Sequence, residues 1–304
     1  MLDVTITQLR MLREVVRLGT IAKAAEHLGY TPSAVSQQLS AVERSIGVAV
    51  LERVGRNVIP TDAGHELVAH GELILGQLDR AEAAIEQIQG KVAGDLRVFF
   101  FGSIGSTMLE PVMSQLNATY PDLRIRTSME DRNPRDMLKR GDLHVAFAVA
   151  RDDAPINDTD LSRMLVCRDW LKLAVPKGAL SERGPVDLNV MQDWDFIAPP
   201  AGDAYGFAVG RAFSTMSAPP VVAHQLADFP TVLRLVANGT AAALVPDLAL
   251  VREPAGVDIY ELKFPQHRVI DLLYRTSTEQ RPTIQAFLRT VAEVADTMGL
   301  DRTE

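Results

Sequence analysis

The sequence lacks most features of secreted, membrane-spanning or disulfide-stapled proteins. It contains one cysteine, Cys167, in 304 residues, so disulfides cannot hold the fold together, and such usage is typical of a reducing compartment. The first residues, MLDVTITQLRMLREVV, scatter charged residues among apolar ones, which disfavours a signal peptide or a membrane span. We therefore expect a cytoplasmic protein that makes no use of a membrane.

Motifs for nucleotide, metal and thiol chemistry are also missing. The run GSIGST lacks the lysine that a phosphate-binding loop requires. Cys167 has no second cysteine with which to form a redox pair, and a lone cysteine is usually structural. No metal-ligand spacing connects the histidines, which include His65, His70, His144 and His224. We expect no metal, no cofactor and no catalytic site.

Positive charge is scarce overall but not at the N-terminus. The chain has a net charge of −8, yet residues 1–60 contain seven Lys or Arg against five Asp or Glu. Nucleic acid attracts positive charge, so the first sixty residues are where the charge balance permits DNA binding. The net charge disfavours an architectural DNA-binding protein.

The length and composition indicate a globular protein of more than one domain. With 47% apolar and 23% charged residues, the chain is neither disordered nor fibrous, and 304 residues exceed the usual single core.

Three short helices are predicted at the start of the chain. Leu9, Leu12 and Val15 recur at helical spacing and end before Gly19. A second helix follows Thr20 and carries Ala24 and Ala25 on its inner face, where small side chains allow another helix to approach closely. Thr31 then caps a third helix that begins with Pro32 and ends at Gly47.

The third helix carries two distinct faces. Its apolar stripe comprises Val35, Leu39, Val42 and Ile46, and its polar stripe comprises Ser33, Ser36, Gln37 and Ser40. Hydroxyl and amide groups can hydrogen-bond to base edges in a major groove. A solvated face on an ordinary helical hairpin is the alternative.

A basic hairpin follows the third helix. Residues 48–59 form two short apolar runs around Gly55, with Arg53 and Arg56 beside the turn. The arginines could contact DNA phosphates or simply be solvated, but a helix-turn-helix followed at once by a basic hairpin favours a winged DNA-binding domain.

At this point the sequence resembles the LysR-type transcriptional regulators. The matching runs are AKAAEHL, SAVSQQLSAVE, LERVGR and PTDAGHEL. The resemblance implies that the residues nearest the bases are Pro32, Ser33, Ser36, Gln37 and Gln38, and that those near the DNA backbone are Thr20, Thr31, Arg53 and Arg56. The family often has Gln-Pro where this chain has Pro32-Ser33, so the base preference of a generic member does not transfer.

One long helix is predicted from the cap at Thr61 to Gly90. Its apolar positions alternate steps of four and three, as in a coiled coil, at Leu67, Gly71, Ile74, Leu78, Ala81, Ile85 and Ile88. The stripe could pack on the chain's own core or on a second copy, and the resemblance favours a dimerisation helix. A two-fold dimer would place two recognition helices in successive major grooves of an inverted repeat.

The remaining residues alternate apolar strands with helices, which predicts an α/β domain. Two lobes are expected, with the chain crossing between them near Val166 and Phe264. Further matching runs, among them GDLRVFFFGSIGSTMLEPV and LKRGDLHVAFAV, resemble the LysR effector domain. The implied fold is an N-terminal all-α winged helix-turn-helix (1–60), a linker helix (61–90) and a periplasmic-binding-protein-like effector domain (91–304). Its first lobe would be 91–165 with 265–304, and its second lobe 166–264.

An effector site is expected beyond the carboxyl ends of the strands. Ser103 is the best single candidate for a hydrogen bond to the effector by resemblance, although an ordinary Ser/Gly turn is the alternative. Arg151 could pair with a ligand carboxylate or be solvated. The other candidates are Gly102, Ile104, Val149, Pro200, Gly202, Asp228, Phe229 and Thr231.

These observations predict a DNA-binding transcription regulator controlled by a small-molecule effector. The resemblance implies a homodimer, and commonly a homotetramer, on an inverted-repeat promoter site in double-stranded DNA. The alternative is a solute-binding or enzymatic α/β protein whose helical N-terminus does not bind DNA. That alternative needs an export signal or a set of catalytic side chains, and neither is evident.

Overall fold

The computed structural model describes residues 3–55, 57–129, 133–150, 159–181, 184–200, 202–250 and 254–303. The chain forms two compact units, residues 1–85 and 86–304. Each unit is considered separately.

The first unit contains the three predicted helices, α1 (Ile6–Leu18), α2 (Ile21–Leu28) and α3 (Pro32–Ile46). Thr5, Thr20 and Thr31 are their N-caps, each accepting a hydrogen bond from a backbone N–H of the first turn. Gly19, Gly29 and Gly47 end the helices with φ of 70°, 72° and 78°, a region that favours glycine. These signals are local, which explains why the sequence alone predicts the helix ends.

The core of the first unit lies where the three helices meet. Ala24 and Ala25 are fully buried beside Val15, Val35 and Val42. Because alanine side chains are small, α2 can approach α1 and α3 closely. The apolar stripe predicted on α3 is therefore its inner face.

A two-stranded antiparallel hairpin, β1 (Leu51–Val54) and β2 (Asn57–Pro60), follows α3. The Glu43 carboxylate of α3 accepts hydrogen bonds from the N–H groups of Val50 (3.1 Å) and Leu51 (3.4 Å). At the other strand, Val58 N–H donates to the carbonyl of Gly19 at 2.8 Å. These bonds fix the hairpin against both α3 and the turn between α1 and α2.

Helix α4 (Asp62–Gln89) begins directly after the hairpin. Gly71 packs against Leu9, where an added Cβ would lie 3.3 Å from the leucine side chain. Several positions of the predicted coiled-coil stripe are open to solvent in the single chain, with Ile74 45%, Ile85 57% and Ile88 87% exposed.

The second unit is built on one mixed sheet. Its elements in chain order are β3 (Gly94–Phe99), α5 (Gly102–Thr107), α6 (Leu109–Thr119), β4 (Leu123–Ser128), α7 (Pro134–Arg140), β5 (Val145–Ala150), β6 (Leu161–Pro176), β7 (Asp195–Ala198), α8 (Ala204–Phe213), β8 (Val221–Gln225), α9 (Phe229–Ala237), β9 (Ala242–Pro246), β10 (Val257–Glu261), β11 (His267–Arg275) and α10 (Pro282–Thr297). The strand order is β4-β3-β5-β11-β6-β9-β7-β8, and β10 pairs with β6.

The sheet divides into two lobes that share strand β6. In the first lobe β3 runs parallel to β4 and β5, and β11 lies antiparallel between β5 and the Leu161–Trp170 part of β6. In the second lobe β7 runs parallel to β8 and β9, and the Leu171–Pro176 part of β6 pairs with β9 and β10. The first crossing, expected near Val166, lies within β6, whose partners change after Trp170.

Each lobe buries helices against the sheet. Met108, Leu116 and Phe287 fill the first-lobe core between the sheet and helices α5, α6 and α10, while Leu138 of α7 packs into a separate cluster. In the second lobe Ala208 of α8 and Val236 of α9 lie in separate clusters. The predicted combination of a helix-turn-helix unit and an α/β unit is confirmed.

We predict that Gly64→Ala destabilises the protein although alanine favours helix by about 1 kcal/mol. A Cβ at Gly64 would lie 2.0 Å from the carbonyl oxygen of Val50, and relieving such a clash typically costs about 1–3 kcal/mol. The matched control is Gly210→Ala in α8, where an added Cβ meets no atom within 4 Å. Thermal unfolding should show a lower transition for Gly64→Ala and an unchanged or higher one for the control; a stabilised Gly64→Ala would contradict the packing described.

Candidate functional site

The exposed face of α3 carries neutral polar groups. Ser33, Gln37 and Ser40 are exposed and Ser36 is half-buried, and at about 100° per residue they form one stripe. Val35 and Leu39 point to the core. The arrangement presents hydroxyl and amide groups, which can donate and accept hydrogen bonds at base edges.

The predicted backbone-contact residues lie at helix starts and on the hairpin. Thr20 Oγ1 accepts from Lys23 N–H at 3.3 Å, and Thr31 Oγ1 accepts from Ala34 N–H at 3.2 Å and lies 3.0 Å from Ser33 Oγ. Pro32 occupies the first turn of α3. Arg53 is exposed on β1. Arg56 lies outside the described residues.

Gln8, which the sequence analysis did not identify, contacts one of the predicted base-contact residues. Gln8 of α1 is buried, and its Nε2 donates to Oε1 of Gln38 on α3 at 3.0 Å. Gln38 itself is exposed. A glutamine three residues after Thr5 is a sequence signal for a capping box, but its contact with α3 depends on the tertiary fold.

The second unit contains a cavity of about 860 Å³ with walls from both lobes. This volume falls in the range of small-molecule sites. Five of the predicted effector residues line it, namely Gly102, Ser103, Val149, Gly202 and Phe229.

The other effector candidates lie elsewhere. Ile104 is fully buried in the first-lobe core. Asp228 is the N-cap of α9, with its Oδ2 accepting from Thr231 N–H at 3.0 Å, and neither residue lines the cavity as described, nor does Pro200. Arg151 lies outside the described residues.

A buried ion pair lies at the cavity wall. Arg268 of β11 donates through Nε (2.9 Å) and Nη2 (2.8 Å) to Oδ2 of Asp169, its opposite residue on β6. Arg268 Nη2 also donates to Ser103 Oγ at 2.6 Å, and Asp169 Oδ1 accepts from Leu248 N–H at 3.0 Å. Burial raises the pKa of Asp169, while Arg268 and the Leu248 N–H lower it. Ser103, the predicted effector contact, is thus buried and already bonded to Arg268.

Three aromatic rings surround the Arg268 guanidinium. Its central carbon lies 5.2 Å from the Phe101 ring centroid, 5.5 Å from that of Tyr205 and 6.0 Å from that of Phe229. Such distances are typical of cation–π contacts. Tyr205 Oη donates to the carbonyl of Leu244, and burial raises the pKa of Tyr205, so the phenol stays neutral.

The remaining charges on the cavity wall are Arg135 and Asp203. Asp203 Oδ1 caps α8 by accepting from Tyr205 N–H at 2.8 Å. The Arg135 guanidinium makes no hydrogen bond or ion pair with the described residues. The cavity therefore combines an aromatic lining with one further positive and one negative side chain. The Arg135 charge also acts on Asp271, whose pKa is raised by burial and lowered by Arg163 and Arg135.

Sequence reasoning missed Arg268, Asp169 and Arg135. The sequence signal was weak, because Arg268 and Asp169 share the strand runs HRVIDLLYR and VCRDWLKLAV with other charged residues: Arg168, Lys172, Asp271 and Arg275. Charged residues are rarely fully buried unless they are paired.

Other reactive side chains are held in inert states. Burial raises the pKa of Cys167 to about 12, so the thiol stays protonated at neutral pH. Burial and then Arg97 lower the pKa of His144 to about 4, so its ring is neutral. Among the described residues there is no group of three or more His, Cys, Asp or Glu placed to hold a metal ion, and no helix is long and apolar enough to cross a membrane.

Both units match families of known proteins. Residues 6–65 match the family described as "Bacterial regulatory helix-turn-helix protein, lysR family", and residues 89–296 match "LysR substrate binding domain". The chain is 31% identical, over 93% of each protein, to the transcriptional regulator y4mQ of Sinorhizobium fredii.

Solved structures share the fold. A full-length OxyR variant of Pseudomonas aeruginosa superposes with a TM-score of 0.67 at 19% identity, covering 95% of this chain and 98% of that one. Full-length CbnR complexed with its target DNA superposes with a TM-score of 0.55 at 21% identity, covering 96% of this chain and 99% of that one.

We predict that Arg268→Met destabilises the protein by about 3–5 kcal/mol at neutral pH, because it leaves the Asp169 carboxylate buried and unpaired. Burial raises the folded-state pKa of Asp169 above its ordinary value near 3.8 even with Arg268 present, and Arg268 lowers it, so loss of Arg268 raises that pKa further. The folded variant then binds the Asp169 proton more tightly than the folded wild type, so the deficit grows as pH rises above the wild-type folded-state pKa and shrinks in acid.

The matched control is the double variant Arg268→Met with Asp169→Leu, which removes both charges and should recover much of the lost stability. Chemical denaturation at several pH values measures both effects. An Arg268→Met deficit that does not depend on pH, or a double variant as unstable as the single one, would show that the ion pair is not responsible.

Proposed function

The chain belongs to the LysR family of transcriptional regulators, and from that premise we propose that it acts in the cytoplasm as a homodimer, assembled further into a homotetramer, on inverted-repeat promoter DNA. A small molecule in the cavity between the two lobes sets its affinity for that DNA. The neutral polar stripe on α3 is the observation that carries the DNA-binding part of this proposal.

The proposed DNA contacts follow from the chemistry of each group. Base edges are contacted by hydroxyl and amide groups, because these groups match the donors and acceptors of the major groove. The residues are Ser33, Ser36, Gln37 and Gln38, and Pro32 lies beside them. The DNA backbone is contacted by Thr20, Thr31, Arg53 and Arg56. The helix starts at Thr20 and Thr31 offer N–H groups, and the arginines of the hairpin offer charge.

The dimer is proposed to form through α4. Ile74, Ile85 and Ile88 are exposed at coiled-coil spacing, and a second copy of the helix would bury them. The division into a DNA-binding domain (1–60), a linker helix (61–90) and an effector domain (91–304) follows from this assignment, with the effector domain composed of lobes 91–165 with 265–304 and 166–264.

The effector is proposed to be a largely apolar molecule with one anionic group. Phe101, Tyr205 and Phe229 supply an aromatic surface, and Asp169 balances Arg268. Arg135 supplies a positive charge that makes no hydrogen bond with the described residues, whereas the Asp203 carboxylate caps α8. Ligand contacts with both lobes would favour one relative lobe position, and a coupling to DNA affinity of about 1–3 kcal/mol is typical of such sites.

The DNA-binding proposal predicts sequence-selective binding that depends on Gln37. Gln37→Ala should reduce discrimination between the preferred duplex and bulk DNA by about 1–3 kcal/mol, while Arg53→Ala should weaken binding to all sequences alike. Fluorescence anisotropy on a duplex selected by the wild type from a randomised library, with and without bulk competitor, separates the two effects.

Circular dichroism checks that both variants fold. If the wild type selects no duplex over bulk DNA, the regulator assignment fails for this chain. Equal loss of selectivity in both variants would contradict the assigned division of roles.

The effector proposal predicts that carboxylates stabilise the protein and that their amides do not. A ligand at 100 times its Kd raises the free energy of unfolding by about 2.7 kcal/mol. Thermal shift measurements should compare aromatic monocarboxylates of increasing size with the matching primary amides, in the wild type and in Arg135→Gln. Stabilisation by an acid that survives Arg135→Gln, or that its amide reproduces, would exclude the proposed anion contact.

A further inference from the structure

The hydrogen bond between Gln8 and Gln38 determines how both side-chain amides are oriented. Thr5 N–H donates to Gln8 Oε1 at 2.9 Å, and Gln8 N–H donates to Thr5 Oγ1 at 3.3 Å, which together form a capping box. The other end of the same amide, Gln8 Nε2, donates to Gln38 Oε1 at 3.0 Å. One side chain therefore joins the start of α1 to the middle of α3.

The orientation of both amides follows from this chain of bonds. A backbone N–H can only donate, so Gln8 must direct its oxygen towards Thr5 and its NH2 group towards Gln38. Gln38 must then direct its oxygen towards Gln8. Gln8 is only 8% exposed, so water offers little replacement for these bonds if its amide turns over.

Gln38 consequently presents its NH2 group away from α1. A free glutamine can offer either end of its amide to DNA and can form a bidentate pair with adenine. In this chain the Gln38 oxygen faces Gln8, so the NH2 group faces outwards, where it can donate a hydrogen bond. Gln38 lies about 100° around α3 from Gln37, on the flank of the helix that faces α1.

We propose that Gln8 is a positioning residue that holds Gln38 as a hydrogen-bond donor to an acceptor atom of DNA. The proposal rests on the proposed DNA-binding function and extends it to a residue buried behind the recognition helix. The acceptor is a phosphate oxygen or an acceptor on a base edge, such as guanine O6 or purine N7. The amino group of cytosine is excluded, because it is itself a donor.

The test reverses the donor direction with Gln8→Glu. Glutamate at this position preserves the capping box, because its carboxylate still accepts from Thr5 N–H. Its second oxygen faces Gln38 as an acceptor, so the Gln38 amide should turn over and present its oxygen outwards. That oxygen would oppose a phosphate oxygen or a guanine O6, and it would favour the amino group of cytosine or adenine.

A double-mutant cycle removes the effect of the added charge. The full-length wild type, Gln8→Glu, Gln38→Ala and the double variant are compared by anisotropy on the duplex that the wild type selects. The charge acts equally in both backgrounds, whereas the amide reversal acts only where Gln38 is present. We expect Gln8→Glu to weaken binding about tenfold more when Gln38 is present than in the Gln38→Ala background, as is typical of a hydrogen bond to a charged acceptor.

Selection from a randomised duplex library distinguishes the two acceptors. With a base acceptor, Gln8→Glu changes the preferred base at one position of each half-site and Gln38→Ala relaxes that position. With a phosphate acceptor, affinity falls while the preferred sequence stays the same. Either result accompanied by the expected coupling supports the proposal.

The proposal is overturned if the wild type selects a sequence but the cycle shows additive effects with unchanged base preference. If the wild type selects no sequence at all, the proposed function fails first and this inference fails with it. Thermal unfolding verifies the fold of Gln8→Glu. Should that variant not fold, Gln38→Glu places an outward acceptor from the exposed side, and binding as tight as that of the wild type would equally overturn the proposal.

Discussion

The α/β unit depends on one buried ion pair. Asp169 and Arg268 are opposite residues on β6 and β11, beside the point where β6 passes from one lobe to the other. Removing two charges from water costs several kcal/mol for each ion, and good geometry with further hydrogen bonds is needed to offset that cost. Here two guanidinium nitrogens donate to one oxygen of the Asp169 carboxylate. Ser103 Oγ also accepts from the guanidinium, and Leu248 N–H donates to the other carboxylate oxygen.

Those partners lie far apart along the chain, so the ion pair joins β6 and β11 to α5 and to the turn after β9. Ser103 lies on α5, and Leu248, which follows β9 along the chain, packs its side chain into the first-lobe core. A lobe movement that separates either partner from the pair would leave a buried polar group unsatisfied, which costs about 1–3 kcal/mol. Movements that keep β6 and β11 paired while the outer parts of the lobes shift are therefore the less costly ones. The cavity is lined by residues of both lobes, so such movements would change its shape.

In the helix-turn-helix unit, the groups that we propose to read the DNA sequence are neutral. Residues 1–60 contain only two more Lys or Arg than Asp or Glu, and the outer face of α3 presents hydroxyls and amides in place of lysines. Glu43 and Gln8 act behind this surface, one by fixing the hairpin against α3 and the other by orienting an exposed amide. The overall charge of −8 is a poor guide to such a surface, because it averages a small DNA-binding unit with a larger acidic one.

The amino-acid sequence alone determined the features that depend on neighbouring residues: the threonine caps and glycine ends of the first three helices, the hairpin after α3, the long α4 and the alternation of strands and helices. It also carried the family resemblance.

Tertiary structure decided which of the candidate groups meet. Ser103 is 165 residues from Arg268, and Arg268 is 99 residues from Asp169, so no local pattern could show that a predicted ligand contact is instead bonded to a buried arginine. Likewise Gln8 and Gln38 are separated by 30 residues, and the direction in which Gln38 donates follows from a capping bond on another helix. Hydrogen bonding requires atoms within about 3 Å, and for residues this far apart only the folded chain brings them to that distance.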